Sequence, residues 1–304
     1  MPESRTEIHF SATWVSSHHF ETCLKNHSEQ LGRDSVSFVF PVGCKLMIDV
    51  SIKLLSLINQ KANSSVDVIL DFKEGMPGLM GYLKRMGFFE NLDERISVLP
   101  SRPDTRRPWN YGWEDGFMEI TTIKRGSRDS NLPEQMTQTL ISSLSNKNDR
   151  ERYEGPTWTI FAELIDNVYS HSRTPIDGFA AVQTYPASNI AKVAVSDSGL
   201  GILTTLRPSL STDGSKLQYL SDIEIMKRVI NEGISQYGGI RGNGLKGSAQ
   251  KALKFNADLE FRLGNSLVCF KPQGKRYEVD KKKSFENLPL ISGTHICYTY
   301  NLNK

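Results

Sequence analysis

The chain has 304 residues, 38% of them hydrophobic and 23% charged, with a formal net charge of +3. That length suits one large domain or two modest ones, and the composition belongs to a folded globular protein rather than a disordered one. The charge is too small to argue for nucleic acid or an acidic membrane as a partner; no run approaches the ~18 apolar residues of a membrane span, and no apolar leader opens the chain.

In chain order, residues 1 to about 34 are polar and mixed, and hold His18 and His19. Val36–Phe40 is a short β-branched run that predicts a strand. Lys45–Gln60 carries Leu46, Val50, Leu54, Leu55 and Ile58 at helical spacing. Val66–Phe72 predicts a second strand, and Gly78–Phe89 a helix with Leu79, Tyr82, Leu83, Met86 and Phe89 on one face. This alternation predicts a small α/β module over residues 1–112. The stretch Ser101–Trp113, rich in Pro, Arg, Asp, Asn and Gly, reads as a linker to a second unit at 113–304. That unit opens with a predicted strand, Phe117–Ile123, and a predicted helix, Pro133–Asn146. Basic residues cluster at Lys281–Lys283 and at Arg102 to Arg107, and both runs read as solvated loops. The cysteines Cys23, Cys44, Cys269 and Cys297 lie far apart without CxxC spacing, which predicts reduced thiols in a cytoplasmic protein rather than a zinc site.

Three segments of the second unit carry candidate chemistry. After Gly155-Pro156, a helix start, Glu163, Asn167 and His171 follow one another four apart and share a helix face. A carboxylate there can orient and deprotonate a water, and an Asn carbonyl is a hard oxygen ligand suited to Mg²⁺. The plainer reading of this segment is an amphipathic helix with a polar exposed face. Next, the β-branched Val193–Ser196 runs into Asp197-Ser-Gly199-Leu-Gly201-Ile202, where an acceptor-only carboxylate at a strand end can take a hydrogen bond from an exocyclic amine. By itself this is also an ordinary strand-to-loop turn. Finally Tyr237–Gly247, with Gly238, Gly239, Gly242, Gly244 and Gly247, precedes the helix-like Ser248–Phe255; backbone N–H groups before a helix cradle anions, and Lys246 adds a charge. A flexible hinge is the plainer alternative.

These segments, in this order, resemble the GHKL superfamily of gyrase-type topoisomerases, Bergerat-class chaperones, sensor histidine kinases and mismatch-repair ATPases. A Gly-Thr pair near the family's last strand is matched by Gly293-Thr294, ahead of the alternating Ile296, Tyr298 and Tyr300. The resemblance covers Thr157–Asn301 and implies a Bergerat fold: a two-layer α/β sandwich, with a mixed sheet and helices on one face, preceded by the small module. It implies ATP and Mg²⁺ as cofactors, Glu163 as general base and Asn167 as Mg²⁺ ligand. Asp197 would contact the adenine amine with Thr294 in support, Gly199, Gly201 and Ile202 would line the base, and Gly242, Gly244, Leu245, Lys246 and Gly247 would hold phosphates. The interval Leu203–Gly239, with a helix-like Ser221–Asn231, resembles the ATP lid of such domains. Three functions stay open: an ATPase switching a protein partner or a second copy through the lid or N-terminal module, an anti-sigma-type serine kinase, or a non-hydrolysing nucleotide sensor. The Glu at 163 resembles hydrolysing members, while the run Asp166–Ser172, with His171, resembles the anti-sigma kinases. The N-terminal run Gly81–Leu92 resembles STAS-like regulatory modules.

Overall fold

Apolar β-branched runs alternating with helical ones build the N-terminal module, as their spacing predicts. A computed structural model of the chain describes residues 6–105, 116–124, 126–144, 146–171, 174–210, 216–234 and 244–302. The module comprises β1 (Thr6–His9), β2 (Trp14–Val15), α1 (Ser17–Asn26), α2 (Ser28–Leu31), β3 (Ser35–Phe40), β4 (Lys45–Leu46), α3 (Ile48–Asn63), β5 (Asp67–Phe72), α4 (Leu79–Arg85) and β6 (Ser97–Leu99). Strands β1, β3, β5 and β6 pair in that order as a parallel sheet, while β2 and β4 form a separate short pair. The polar first 34 residues thus contain two strands and two helices that periodicity does not reveal. In α1 only Phe20 and Leu24 supply buried apolar side chains, and Ser16 caps its start.

The second set of elements is β7 (Phe117–Ile123), α5 (Leu132–Ser142), α6 (Lys147–His171), β8 (Gly178–Tyr185), β9 (Ile190–Ser196), α7 (Ile202–Leu210), α8 (Asp222–Glu232), α9 (Gly244–Leu253), β10 (Asp258–Arg262), β11 (Leu267–Gln273), β12 (Arg276–Val279) and β13 (His295–Asn301). The strands form one sheet in the order β12-β11-β10-β13-β9-β8-β7, with Val182 opposite Val193 and Val193 opposite Tyr298 at its centre. Helices α5, α6 and α9 cover one face, making the α/β sandwich. Every pairing in this sheet is antiparallel, where the resemblance implies a mixed one. The cause is connectivity: β8–β9, β10–β11 and β11–β12 are consecutive antiparallel neighbours, and β13 returns antiparallel between β9 and β10. The parallel pairs all belong to the N-terminal module, in its four-stranded sheet and in the β2–β4 pair.

Strand side chains alternate between faces, and here both faces are buried. Val182, Val193, Val195, Phe261 and Tyr298 join the core under α5, α6 and α9. Phe179, Ala181, Tyr185 and Ala194 belong instead to the core of the N-terminal module, together with α3 residues such as Leu54, Leu55 and Ile58. Each buried Leu or Ile contributes roughly 1.5–3 kcal/mol, so this second core joins the two modules into one structure. The seam also holds charges. Arg262 Nε donates to Glu21 Oε2 at 3.0 Å, Lys53 Nζ meets Glu260 at 2.8 Å, and Lys192 meets Asp49 at 3.1 Å. Burial opposes the charge on Lys53, but Glu260, Glu21 and Asp49 outweigh it and raise its pKa. Among the described residues no helix is long and apolar enough to cross a membrane.

Candidate functional site

Helix α6 brings the first candidate residues to the sheet. It begins at Lys147, well before the Gly155-Pro156 start that the sequence predicts, and carries Pro156 in its interior. A proline there cannot give an N–H to the Arg152 carbonyl. The next hydroxyls bond to other carbonyls of the same turns: Thr157 Oγ1 donates to those of Tyr153 and Glu154, and Thr159 Oγ1 to that of Gly155. The early turns are anchored from outside by Tyr153, which is buried and stacks on Phe255 with ring centroids 3.9 Å apart. Further along, Val168 packs over Gly178 beside the Ser196 carbonyl, which sets the Asn167 turn against the end of β9.

Glu163 is half-buried. Burial and then Asp166 push its pKa above the ordinary value, opposed by Asn167 and Lys251. Its carboxylate lies against the first residue of α9, so closely that a Cβ on Gly244 would overlap it. An anion is favoured there, because the first N–H groups of a helix have no intrahelical partner and its dipole is positive. Asn167 lies beside Glu163, and its Nδ2 is buried without a hydrogen bond of good geometry. Its side chain still lies close enough to Glu163 to lower that carboxyl's pKa. The side chain of His171 lies outside the described residues.

Beyond β9 the chain turns at Asp197, whose carboxylate is fixed from two sides. Oδ1 accepts from the Gly199 N–H at 2.7 Å and Oδ2 from the Thr294 N–H at 3.1 Å. The Asp197 N–H donates to the Thr294 carbonyl at 3.0 Å, which ties the ends of β9 and β13 together. Burial raises the Asp197 pKa from 3.8 to about 6, against the lowering effect of the Gly199 and Thr294 N–H groups. Thr294 uses its hydroxyl to accept from the Ile202 N–H at 3.0 Å. Gly293 has φ +92°, and a Cβ there would run into the Asp197 carbonyl, so only glycine fits. Gly201 faces Gly293 across this narrow gap.

The phosphate-binding expectation meets a helix rather than a loop. Gly244, Leu245, Lys246 and Gly247 form the first turn of α9, which starts four residues before the predicted Ser248. Leu245 packs on the core, and Gly247 is open to added atoms. The Lys246 ammonium donates to the Glu232 carbonyl at 3.2 Å, where it serves the carboxyl end of α8. Gly242, and with it 235–243, lies outside the described residues. Within the predicted lid, α8 spans Asp222–Glu232, with Ser221 and Glu224 forming a reciprocal capping box.

The structure thus gathers Asp197, Gly199, Gly201, Ile202 and Thr294 at one end of β9 and β13, and sets Glu163 and Asn167 with the α9 N-terminus on the adjoining helices. Residues that no local motif flags also converge there: Ser198 and Ser292 flank Asp197 and Thr294 in sequence and both bond to Gln60 of α3. No protein-family model matches the chain, nor does any curated protein or solved structure.

Proposed function

We propose that the chain binds Mg-ATP in a Bergerat-type site and hydrolyses it, acting as a nucleotide-driven switch for a protein partner or a second copy. The observation that carries this reading is the Asp197 carboxylate. It is buried at a strand end, and each oxygen accepts one backbone N–H. An ionised carboxylate has about four acceptor positions, so two are left for a donor such as the adenine amine. A charged group held at such cost, with no ion pair among the described residues, points to a ligand.

Glu163 supports the second half of the reading. Its raised pKa makes it a better proton acceptor near neutrality, the property required of a base that activates water. The α9 N-terminus beside it is suited to phosphate oxygens. The Glu163 carboxylate must leave Gly244 when phosphates enter, because two anions cannot share that position. Asn167, beside Glu163, would hold Mg²⁺ through its side-chain oxygen, and the ion when bound neutralises phosphate charge.

The test is calorimetry with Mg-ATP and a non-hydrolysable analogue, paired with phosphate release by wild type and Glu163→Gln. Both proteins should bind, with release in the variant reduced at least ~100-fold. Binding without release in wild type would replace hydrolysis with sensing or phosphotransfer, and absence of binding would overturn the reading.

A further inference from the structure

Resting on the ATP-site reading above, we infer that Gln60 of α3 is a positioning residue of the adenine pocket, through which the N-terminal module is coupled to nucleotide occupancy. Gln60 reaches out of the module and uses its whole amide. Its Nε2 donates to Ser198 Oγ and to the Ser292 carbonyl, both at 3.0 Å, and its Oε1 accepts from the Ser292 N–H at 2.9 Å. One turn earlier on the same helix, Ser56 Oγ lies 2.7 Å from Ser196 Oγ, which in turn bonds His295 Nδ1.

The pattern of attachment is what matters. Along β9 and its turn, Ser196 and Ser198 bond to α3, while Asp197 between them holds the Gly199 and Thr294 N–H groups. On the facing segment, α3 holds Ser292 directly and His295 through Ser196, and Gly293-Thr294 closes on Asp197. Residues on either side of the carboxylate are therefore tied to one helix of the other module. The two segments also hold each other, through Asp197, Ile202 and Thr294, and the bonds from Gln60 and Ser56 fix that pair against one helix, which adds to the fixed geometry of the loops. Burial keeps His295 neutral, with its pKa lowered to about 3, so the contact persists across the ordinary pH range.

Linkage makes the coupling reciprocal. If Gln60 preorganises the loops for adenine, adenine must tighten the hold of the loops on α3. The phosphate end of the site, at α6 and α9, makes none of these contacts and should be indifferent.

The experiment compares wild type with Gln60→Met, which keeps the volume and loses all three bonds, and with Ser198→Ala, which loses only one. Binding of ATP, adenosine and tripolyphosphate is measured by calorimetry, and hydrolysis by phosphate release. Gln60→Met should weaken ATP and adenosine alike by about tenfold, with tripolyphosphate unchanged and kcat at saturation preserved. Ser198→Ala should weaken both nucleoside ligands about threefold, which keeps the test alive if the larger change impairs folding. In wild type, saturating adenosine should slow amide exchange in α3, and Gln60→Met should abolish that protection. Adenosine and ATP affinities unchanged in folded Gln60→Met, or a fall in kcat with KM unchanged, would overturn the inference. A wild type that binds no nucleotide would instead overturn the ATP-site reading beneath it.

Discussion

The sharpest consequence of the site is a pH dependence of adenosine binding set by Asp197. Its carboxyl is 7% exposed and its pKa is raised from 3.8 to about 6, with burial as the cause. At 1.36 kcal/mol per unit, keeping it ionised at pH 7 costs the free protein about 3 kcal/mol. The folded state holds the proton more tightly than the unfolded chain, so the stability of the free protein falls as pH rises from about 4 to about 6, then levels. Ligand binding runs the opposite way, because an amine donating to Asp197 favours the ionised form. Between pH 5 and pH 7 the ionised fraction rises about tenfold, so adenosine should bind about tenfold tighter at pH 7, with little change above it. Adenosine is the right probe because a terminal phosphate itself titrates near pH 6. Calorimetry at pH 5, 6, 7 and 8 measures the effect, and Asp197→Asn should remove it. That variant loses one backbone N–H acceptor, a cost of about 1–3 kcal/mol, but sheds the burial penalty of similar size, so its stability should change little. A flat pH profile in wild type would refute the adenine contact.

Two further substitutions test the framework around the pocket. Gly293→Ala places a side chain at φ +92° and against the Asp197 carbonyl; the conformation alone should cost about 1–3 kcal/mol in urea unfolding, and unchanged stability would contradict the geometry. Arg262→Met leaves Glu21 with only Lys53, 3.9 Å away, and takes a donor from the Leu263, Gly264 and Pro289 carbonyls; it should lose about 3–5 kcal/mol, and Arg262→Met with Glu21→Leu should recover the part due to the ion pair. Equal instability of the single and double variants would show that packing and the carbonyls left without Arg262, not the ion pair, set the cost.

How much of this was legible in the sequence depends on how local each cause is. Strand β7 coincides with the predicted Phe117–Ile123, and α8 starts where Ser221 and Glu224 signal a cap. Asp197 and Gly199 form a local turn, whereas the meeting of Asp197 with Thr294 is what the resemblance implies, across a separation of 97 residues that no local spacing bridges. Other features were hidden because distant contacts decide them. Proline at 156 reads as a helix start, but the Tyr153–Phe255 stack holds two earlier turns in place. Gly244 and Gly247 read as loop, yet they lie in the first turn of α9. Arg102 reads as a solvated base, yet its guanidinium donates to the carbonyls of Leu92, Asp93 and Ile96. Gln60 stands more than 130 residues from Ser198 and Ser292, and no spacing rule links them.

The charged residues of the second unit hold the clearest case of a misleading pattern. Lys192, Glu260 and Arg262 alternate with apolar neighbours, as the solvent face of an antiparallel strand would. All three instead face the N-terminal module, with Arg262 fully buried and Lys192 9% exposed. A cut between residues 112 and 113 therefore does not release an independent domain. It exposes Phe179, Ala181, Tyr185 and Ala194, and it strips Lys53 from Glu260, Glu21 from Arg262 and Asp49 from Lys192. An uncovered apolar sheet face of this kind is an aggregation surface. Residues 113–304 expressed alone should be insoluble or oligomeric by light scattering, and should recover solubility when residues 1–112 are supplied on a second chain. A monomeric fragment that unfolds cooperatively on its own would mean that the seam adds little to the stability of the sheet.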